Sequence, residues 1–196
     1  MKNPKGIVFD LDGTLIDSSL DFAAIRSDLG LAPATPILEA IPKMTARERK
    51  MAEAVLAGHE SAAVGFARYI PNAENFLQTL REKQIPIGIF TRNSRATSEK
   101  IISALEIPCD ILISHDNAPA KPKPVGLLRI CEAWKCSPQN IVYVGDYLYD
   151  LEAGNAAGAT TILYTAPEPL PFFAKDADFL LHDFADAYFL LEKIFS

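Results

Sequence analysis

The segment Gly6-Ile-Val-Phe-Asp10-Leu-Asp12-Gly13-Thr14 decides the fold. Its first half has the length and the unbroken hydrophobicity of a strand that is buried on both faces. Two aspartates, a glycine and a threonine follow where that strand ends, and Gly13 permits a close backbone approach to a ligand. Ligands of open parallel sheets bind outside the carboxyl ends of the strands, so the segment predicts a core strand and part of a site.

Five further apolar runs continue this pattern along the chain, at residues 85–91, 110–114, 141–146, 160–164 and 178–181. Helical stretches separate most of the runs, at residues 73–83, 95–106, 125–134, 147–157 and 183–194. Asn72 and Ser94 are predicted N-caps. The alternation of strands and helices predicts an α/β fold with a parallel sheet and helices on both faces.

Residues 17–69 interrupt the alternation and are called the insert below. They contain no strand-like run, are rich in alanine, and favour helix, with Ser18-Ser19-Leu20-Asp21 spaced like a capping box at the start. We therefore expect a core of residues 1–16 and 70–196, with a helical insert after the first strand. Residues 166–171 hold three prolines and are predicted to form a surface loop.

Composition narrows the class of protein. A hydrophobic fraction of 49% in 196 residues is typical of a globular chain, and the net charge of −6 disfavours general nucleic-acid binding. No apolar stretch is long enough to span a membrane, and the N-terminus does not resemble a signal peptide. Three cysteines without metal or redox spacing complete the expectation of a cytoplasmic, reduced protein.

Polar side chains follow each of the first four predicted strands. Asp10 and Asp12 follow the first strand, Thr91 ends the second, Lys121 lies in the loop after the third, and Asp146 ends the fourth. The carboxyl ends of parallel strands share one edge of the sheet, so these side chains are expected to converge. Clustered carboxylates repel one another, and a hard cation with oxygen ligands relieves that repulsion, which favours Mg²⁺ over zinc.

The same residues suit phosphoryl transfer. Asp10 is placed to attack phosphorus and form an aspartyl-phosphate, while Asp12 can protonate the leaving oxygen and later deprotonate water. Asp146 is expected to be a further metal ligand. Asp150, one helical turn later, is expected to hold Lys121 or a metal-bound water in place.

A phosphate group would be held by Lys121, by the Thr91 hydroxyl and by backbone N–H groups of the first motif. Arg92 and Asn93, which follow Thr91, are further candidates for phosphate contacts. Lys123 is also followed by proline and is a rival to Lys121, which is preferred because it opens the Lys-Pro-x-Pro pattern.

Four motifs resemble those of the haloacid dehalogenase-like hydrolase superfamily, in the branch with a small helical cap that includes phosphoglycolate phosphatases. They are Asp10-Leu-Asp-Gly-Thr14, Thr91 after an apolar strand, Lys121-Pro-Lys-Pro124 and Gly145-Asp-x-x-x-Asp150. The resemblance covers the whole chain and implies a Rossmann-like core, Mg²⁺ dependence and an aspartyl-phosphate intermediate. It also implies that the insert is a small helical cap.

The resemblance assigns a role to each matching position. It implies that Asp10 is the nucleophile, that Asp12 is the general acid and base, and that Thr91 and Lys121 contact the phosphate. It places magnesium on Asp10, on Asp146 and on the backbone carbonyl of Asp12.

The expected function is a Mg²⁺-dependent phosphatase acting on a small phosphorylated metabolite. A phosphomutase or a dehalogenase of the same superfamily is an alternative, although dehalogenases usually lack the second acid of the first motif. A mutase needs a cap that excludes water, which a short insert disfavours. A non-catalytic phospho-acceptor or binding module is the alternative from a different class.

Overall fold

The computed structural model describes residues 4–195, and its centre is a six-stranded parallel sheet. Eight strands are present in the described residues: β1 Gly6–Phe9, β2 Ile16–Asp17, β3 Arg68–Tyr69, β4 Ile87–Phe90, β5 Ile111–Ile113, β6 Ile141–Gly145, β7 Thr160–Tyr164 and β8 Phe179–Leu181. The sheet order is β5-β4-β1-β6-β7-β8. The predicted parallel α/β fold is confirmed, and β1 lies between β4 and β6.

Helices cover both faces of the sheet. They are α1 Phe22–Asp28, α2 Ile37–Ala40, α3 Ala46–Ala63, α4 Ala73–Glu82, α5 Arg95–Ala104, α6 Val125–Ala133, α7 Leu148–Ala157 and α8 Ala187–Phe195. Because side chains alternate along a strand, Ile7 and Phe9 of β1 pack in one apolar cluster and Val8 packs in another. The first cluster includes residues of α4, α5 and α8, and the second includes residues of α6 and α7.

The insert has a small apolar cluster of its own, built from Ile25, Ile37, Ile41, Ala52 and Leu56. This cluster is separate from the two that pack on the sheet. The exact division of the chain into a core and a cap stays a prediction.

The expectation that the insert contains no strand is wrong at its two ends. Ile16 pairs with Tyr69 and Asp17 pairs with Arg68, so β2 and β3 form a short antiparallel ribbon where the chain leaves and re-enters the core. A strand of two residues is too short to show the alternation on which the sequence prediction depends.

One predicted cap is wrong, and another lies at the predicted position without making a capping hydrogen bond. Asp21, rather than Ser18, caps α1 by accepting hydrogen bonds from the backbone N–H groups of Ala23 and Ala24. Asn72 stands at the N-cap position of α4, but with a φ of 64° its side chain makes no cap hydrogen bond, and its amide donates to Asp183 instead.

Other local predictions are confirmed. Ser94 caps α5 by accepting from the N–H of Thr97, as predicted. Residues 166–171 form neither helix nor strand, as expected of a loop with three prolines. The last helix begins at Ala187, later than predicted, because a 3₁₀ turn at Phe184–Asp186 precedes it. Among the described residues, no helix is both long and apolar enough to cross a membrane.

Candidate active site

The central strands deliver the predicted site residues to one edge of the sheet. Asp10 follows β1, Thr91 follows β4 and Asp146 follows β6, and these three strands are neighbours. The N–H of Asp10 donates to the carbonyl of Val144 at 2.8 Å, so the strand pairing continues to the site. The sheet therefore fixes the backbone of the two acidic motifs relative to each other.

Lys121 is the buried cation of the site. Its Nζ lies 2.7 Å from Asp10 Oδ1 and 2.6 Å from Asp150 Oδ1, and its side chain is 2% exposed. Lys123 is exposed, so the structure places Lys121 and not its rival beside Asp10. Burial alone would lower the pKa of Lys121, but the two carboxylates raise it. The amine therefore stays charged.

Asp150 holds Lys121 in place, which is one of the two roles that the sequence predicts for Asp150. Its Oδ1 accepts from Lys121 Nζ and from the Tyr143 hydroxyl at 2.7 Å, and its Oδ2 accepts from the N–H of Tyr147 at 3.0 Å. Oxygen atoms of Asp10, Asp146 and Asp150 lie within 4.8 Å of one another, which is close enough to share a metal ion. Because both Asp150 oxygens already accept hydrogen bonds, Asp10 and Asp146 are the better candidate ligands.

Burial and the repulsion between neighbouring carboxylates raise the pKa values of Asp10 and Asp146. Loss of solvation raises the pKa of Asp10 to about 7, and the charge of Asp150 adds to the rise while Lys121 opposes it. Burial, followed by the charges of Asp10 and Asp150, raises the pKa of Asp146 well above its usual range. A positive ion between these carboxylates would reverse both effects, so the pair has the electrostatics of a cation site.

Asp12 is held by the first residues of the insert. The Ser18 hydroxyl donates to Asp12 Oδ2 at 2.5 Å, and the Ser18 N–H donates to Oδ1 at 3.2 Å. The Asn93 amide lies 3.4 Å from the same Oδ2. Ser18, assigned to a capping box from its spacing, therefore orients the proposed acid and base of the site.

Thr91 is where the sequence predicts it, at the end of β4, and it is 1% exposed. Its N–H donates to Ile113 and its Oγ1 accepts from the N–H of Asn93 at 3.1 Å. The hydroxyl hydrogen remains available for a ligand in the adjoining cavity, which Thr91 lines.

Arg92, predicted as a phosphate contact, is engaged by the insert. Its guanidinium donates to both carboxylate oxygens of Glu39 at 2.9 Å and stacks over the Tyr149 ring at 4.8 Å. It also donates to the backbone carbonyl of Lys121. Arg92 thus connects the insert to the loop that holds Lys121 and to Tyr149 of α7. Its contact with phosphate stays a prediction.

Glu60 makes a second link between the insert and the site. It is buried on α3, and its carboxylate accepts from the Ser94 hydroxyl and from the Ser94 N–H at 3.2 Å. The sequence does not predict the roles of Glu39 and Glu60. No local pattern marks either glutamate, and their partners Arg92 and Ser94 lie more than 30 residues away.

A cavity of about 460 Å³ lies between the insert and the edge of the sheet. Asp10, Asp12, Thr91, Lys121 and Asp146 all line it, so the predicted catalytic residues share one space. Most of the other lining residues belong to the insert, and the core completes the wall with Arg92, Asn93, Tyr147, Tyr149 and Asp150. A ligand can thus contact the acidic cluster and the insert together.

Position 13 requires glycine because of its backbone conformation and because a side chain there would have no room. Its φ is +85°, and a Cβ there would lie 2.4 Å from Asp146 Oδ2.

We expect Gly13→Ala to lower the free energy of unfolding by about 2 kcal/mol or more, because the cost of the left-handed backbone and the cost of the clash with Asp146 add to each other. Urea unfolding measures the loss. Gly30→Ala is the matched control, with φ of +64° but open space around its Cβ, and an equal loss in both variants would contradict the Asp146 contact.

A model of the haloacid dehalogenase-like hydrolases matches residues 23–164, more than half of the chain. The chain belongs to the haloacid dehalogenase-like hydrolases. A member from Arabidopsis thaliana, named a haloacid dehalogenase-like hydrolase domain-containing protein, is 28% identical over 97% of this chain and 85% of its own length. A phosphoglycolate phosphatase of Chromobacterium violaceum is 28% identical over 83% of this chain and 85% of its own.

Solved structures of haloacid dehalogenase-like hydrolases share the architecture. A predicted phosphoglycolate phosphatase from Haemophilus somnus superposes with a TM-score of 0.77 at 22% identity, over 97% of this chain and 99% of that one. At this identity the likeness establishes the fold alone. The family match begins at residue 23 and does not include Asp10 and Asp12, so their catalytic roles stay predictions.

Proposed function

We propose that this hydrolase is a Mg²⁺-dependent phosphatase that acts on a small phosphomonoester through an aspartyl-phosphate on Asp10. The observation that carries the proposal is the position of the Asp10 carboxylate, which lines the cavity, is bound by Lys121 at 2.7 Å, and lies beside Asp146. Relatives named as phosphoglycolate phosphatases support the reaction class.

The reaction divides between the two aspartates of the first motif. An Asp10 oxygen attacks phosphorus, the bond from phosphorus to the ester oxygen breaks, and Asp12 donates the proton that the leaving alcohol needs. Water then attacks phosphorus, its proton passes to Asp12, and the bond to Asp10 breaks to release phosphate. Ser18 holds Asp12 in place for both proton transfers.

Lys121 and Thr91 are proposed to bind the transferred phosphate. Lys121 carries a full charge at the cavity floor, and Thr91 offers a hydroxyl donor beside it. Backbone N–H groups after β1 supply further donors. These contacts offset the negative charge of a substrate that approaches an anionic nucleophile.

The donor set fits magnesium. Asp10 and Asp146, whose carboxylates lie close together, and the backbone carbonyl of Asp12, which the family resemblance implies, would hold the ion with oxygen atoms alone, the chemistry that Mg²⁺ prefers. When bound there, magnesium neutralises charge on the phosphate and on Asp10. Burial and the charges of neighbouring carboxylates raise the pKa values of Asp10 and Asp146, which supports a bound cation at this point.

We also propose that the protein acts on a soluble metabolite in the cytoplasm rather than on nucleic acid or a membrane. Cys109, Cys131 and Cys136 are unpaired, in keeping with a reducing compartment. The net charge of −6 argues against a polyanionic partner.

The direct test is phosphate release from 4-nitrophenyl phosphate with magnesium or with EDTA. We expect steady turnover with magnesium and loss of at least nine-tenths of it in EDTA. Chloride release from a 2-chloro acid, or isomerisation of a sugar phosphate without net phosphate release, would instead favour the dehalogenase or the mutase. No turnover in any of the three assays would favour a binding module.

The pH dependence of metal binding follows from Asp10. With its pKa raised to about 7, Asp10 in the metal-free protein is protonated at pH 5.5 and ionised at pH 8. A raised pKa of a folded carboxyl stabilises the protein at low pH, and this contribution fades as the pH rises from about 4 to about 7. We therefore expect magnesium to raise the melting temperature more at pH 8 than at pH 5.5, because protons compete with the ion.

Melting curves in EDTA and in magnesium at both pH values measure this difference. Asp10→Asn is the control variant, since its amide does not titrate: its magnesium response should be weak at both pH values, and any pH dependence that remains belongs to Asp146. A magnesium effect of equal size at both pH values in the unaltered protein would contradict the assignment of Asp10 as a ligand.

A further inference from the structure

The cavity over the acidic cluster has two unlike walls. The floor is polar, with Asp10, Lys121 and their neighbours, whereas the insert contributes an apolar roof: Leu20, Phe22, Ile37, Leu38 and Leu56. The floor accounts for the phosphate and its counter-charges. The roof faces the part of the substrate that leaves with the ester oxygen, so its chemistry indicates what that group is.

The charged side chains at the roof already make hydrogen bonds, Arg92 with Glu39, Glu60 with Ser94, and Arg26 with backbone carbonyls alone. Arg26 donates from Nε to the carbonyl of Thr35 at 2.9 Å and from Nη1 to that of Phe22 at 3.1 Å. A leaving group with its own carboxylate would have to compete with these contacts, whereas an apolar group would not.

Two aromatic residues at this cavity are exposed, and neighbouring rings orient one of them, Tyr147. Tyr147 lines it, is 53% exposed, and packs edge-to-face against Tyr149 at 5.3 Å and Phe173 at 5.7 Å. Phe22 of the insert lines it too and is 49% exposed. Both rings offer large contact areas to a planar ligand, and Tyr147, which its neighbours already orient, does so at low entropic cost.

The volume of the cavity also favours a large substrate. A volume of about 460 Å³ equals the liquid volume of roughly 15 water molecules. A phosphate with a two-carbon alcohol fills well under that, and the remainder would be water against an apolar wall. A ring system of nucleoside size on the phosphate would fill the space and cover both exposed rings.

We infer that the substrate is a phosphomonoester whose alcohol carries a large planar ring system, with the phosphate on the floor and the ring system against Phe22 and Tyr147. This rests on the proposed phosphatase function and names its substrate class. Two sources supply such chemistry, aryl phosphates and nucleoside 5′-monophosphates. The specificity thus differs from that stated in the names of the phosphoglycolate phosphatases among its relatives.

A substrate panel tests the class. The purified full chain with magnesium is given 2-naphthyl phosphate, uridine and adenosine 5′-monophosphates, and phosphoglycolate, and phosphate release is measured at several concentrations. We expect kcat/KM for at least one planar substrate to exceed that for phosphoglycolate by about tenfold or more. The naphthyl and nucleotide arms separate the two sources.

Two outcomes overturn different claims. Phosphoglycolate turned over with a kcat/KM equal to or above that of every planar substrate would overturn the inference while the phosphatase function stands. Release of phosphate from none of the substrates, nor from 4-nitrophenyl phosphate, would remove the proposed function itself.

Variants locate the contact. Phe22→Ala and Tyr147→Ala should each raise KM for the preferred planar substrate by about fivefold or more, with a smaller change in kcat. Phe66→Ala is the matched control, since Phe66 also belongs to the insert and is 66% exposed but does not line the cavity. Equal KM values for Phe22→Ala and Phe66→Ala would overturn the assignment of the roof.

Discussion

Replacing Asp10 by asparagine is expected to lower kcat for phosphate release by about 10³-fold or more, because an amide oxygen cannot form the acyl-phosphate. The amide has nearly the shape of the carboxylate, and Lys121 keeps its contact with Asp150 at 2.6 Å. Circular dichroism should therefore show an unchanged fold. Initial rates with 4-nitrophenyl phosphate and magnesium measure the loss.

Asp186→Asn is the control for this experiment. Asp186 is an exposed acid in the 3₁₀ turn before α8, remote in sequence from every proposed site residue. Its substitution should leave kcat within about twofold, as expected for a surface position. Activity of Asp10→Asn close to that of Asp186→Asn would mean that another group attacks phosphorus.

The second large effect is expected at Lys121. Changing it to methionine removes the cation from between Asp10 and Asp150 and leaves two buried carboxylates without compensation. We expect the free energy of unfolding to fall by about 3–5 kcal/mol at pH 8, and phosphate release to be lost with it. Since Lys121 lowers the pKa of Asp10, its loss raises that pKa further, and the destabilisation should be smaller at pH 5, where Asp10 binds a proton.

Lys123→Met is the matched control two residues away, on an exposed side chain. Its effect on urea unfolding should stay within about 0.5 kcal/mol, and its activity should be near that of the unaltered chain. A larger loss of activity in Lys123→Met than in Lys121→Met would assign the phosphate contact to the other lysine.

The sheet and its functional edge were predictable because their signals are local. Continuous apolar runs such as Gly6–Phe9 mark strands buried on both faces, and the polar residues that follow them lie at the carboxyl edge by geometry. Asp10, Thr91 and Asp146 therefore came together as expected once the runs were identified. Lys121 is harder to distinguish from Lys123 in the sequence, because each is followed by proline, and the fold alone shows that Lys121 is the one buried beside Asp10.

The contacts between insert and core were not predictable in the same way. Glu39 meets Arg92 across 53 positions and Glu60 meets Ser94 across 34, and nothing near either glutamate distinguishes it from a solvated acid. Ser18 shows the opposite error. Its spacing to Asp21 suited a capping box, but the chain turns there so that the hydroxyl binds Asp12 and the cap falls to Asp21.

The claim that Asp10 itself carries the phosphoryl group is tested most directly by trapping. Enzyme mixed with magnesium and substrate, quenched with acid within the first turnover and treated with borohydride, should contain homoserine at position 10, because borohydride reduces an acyl-phosphate and leaves a free carboxylate untouched. Peptide mass spectrometry identifies the residue, and the yield should rise in Asp12→Asn, where hydrolysis of the intermediate is slowed. Unmodified Asp10 in enzyme that is turning over substrate, or homoserine at another aspartate, would contradict the account.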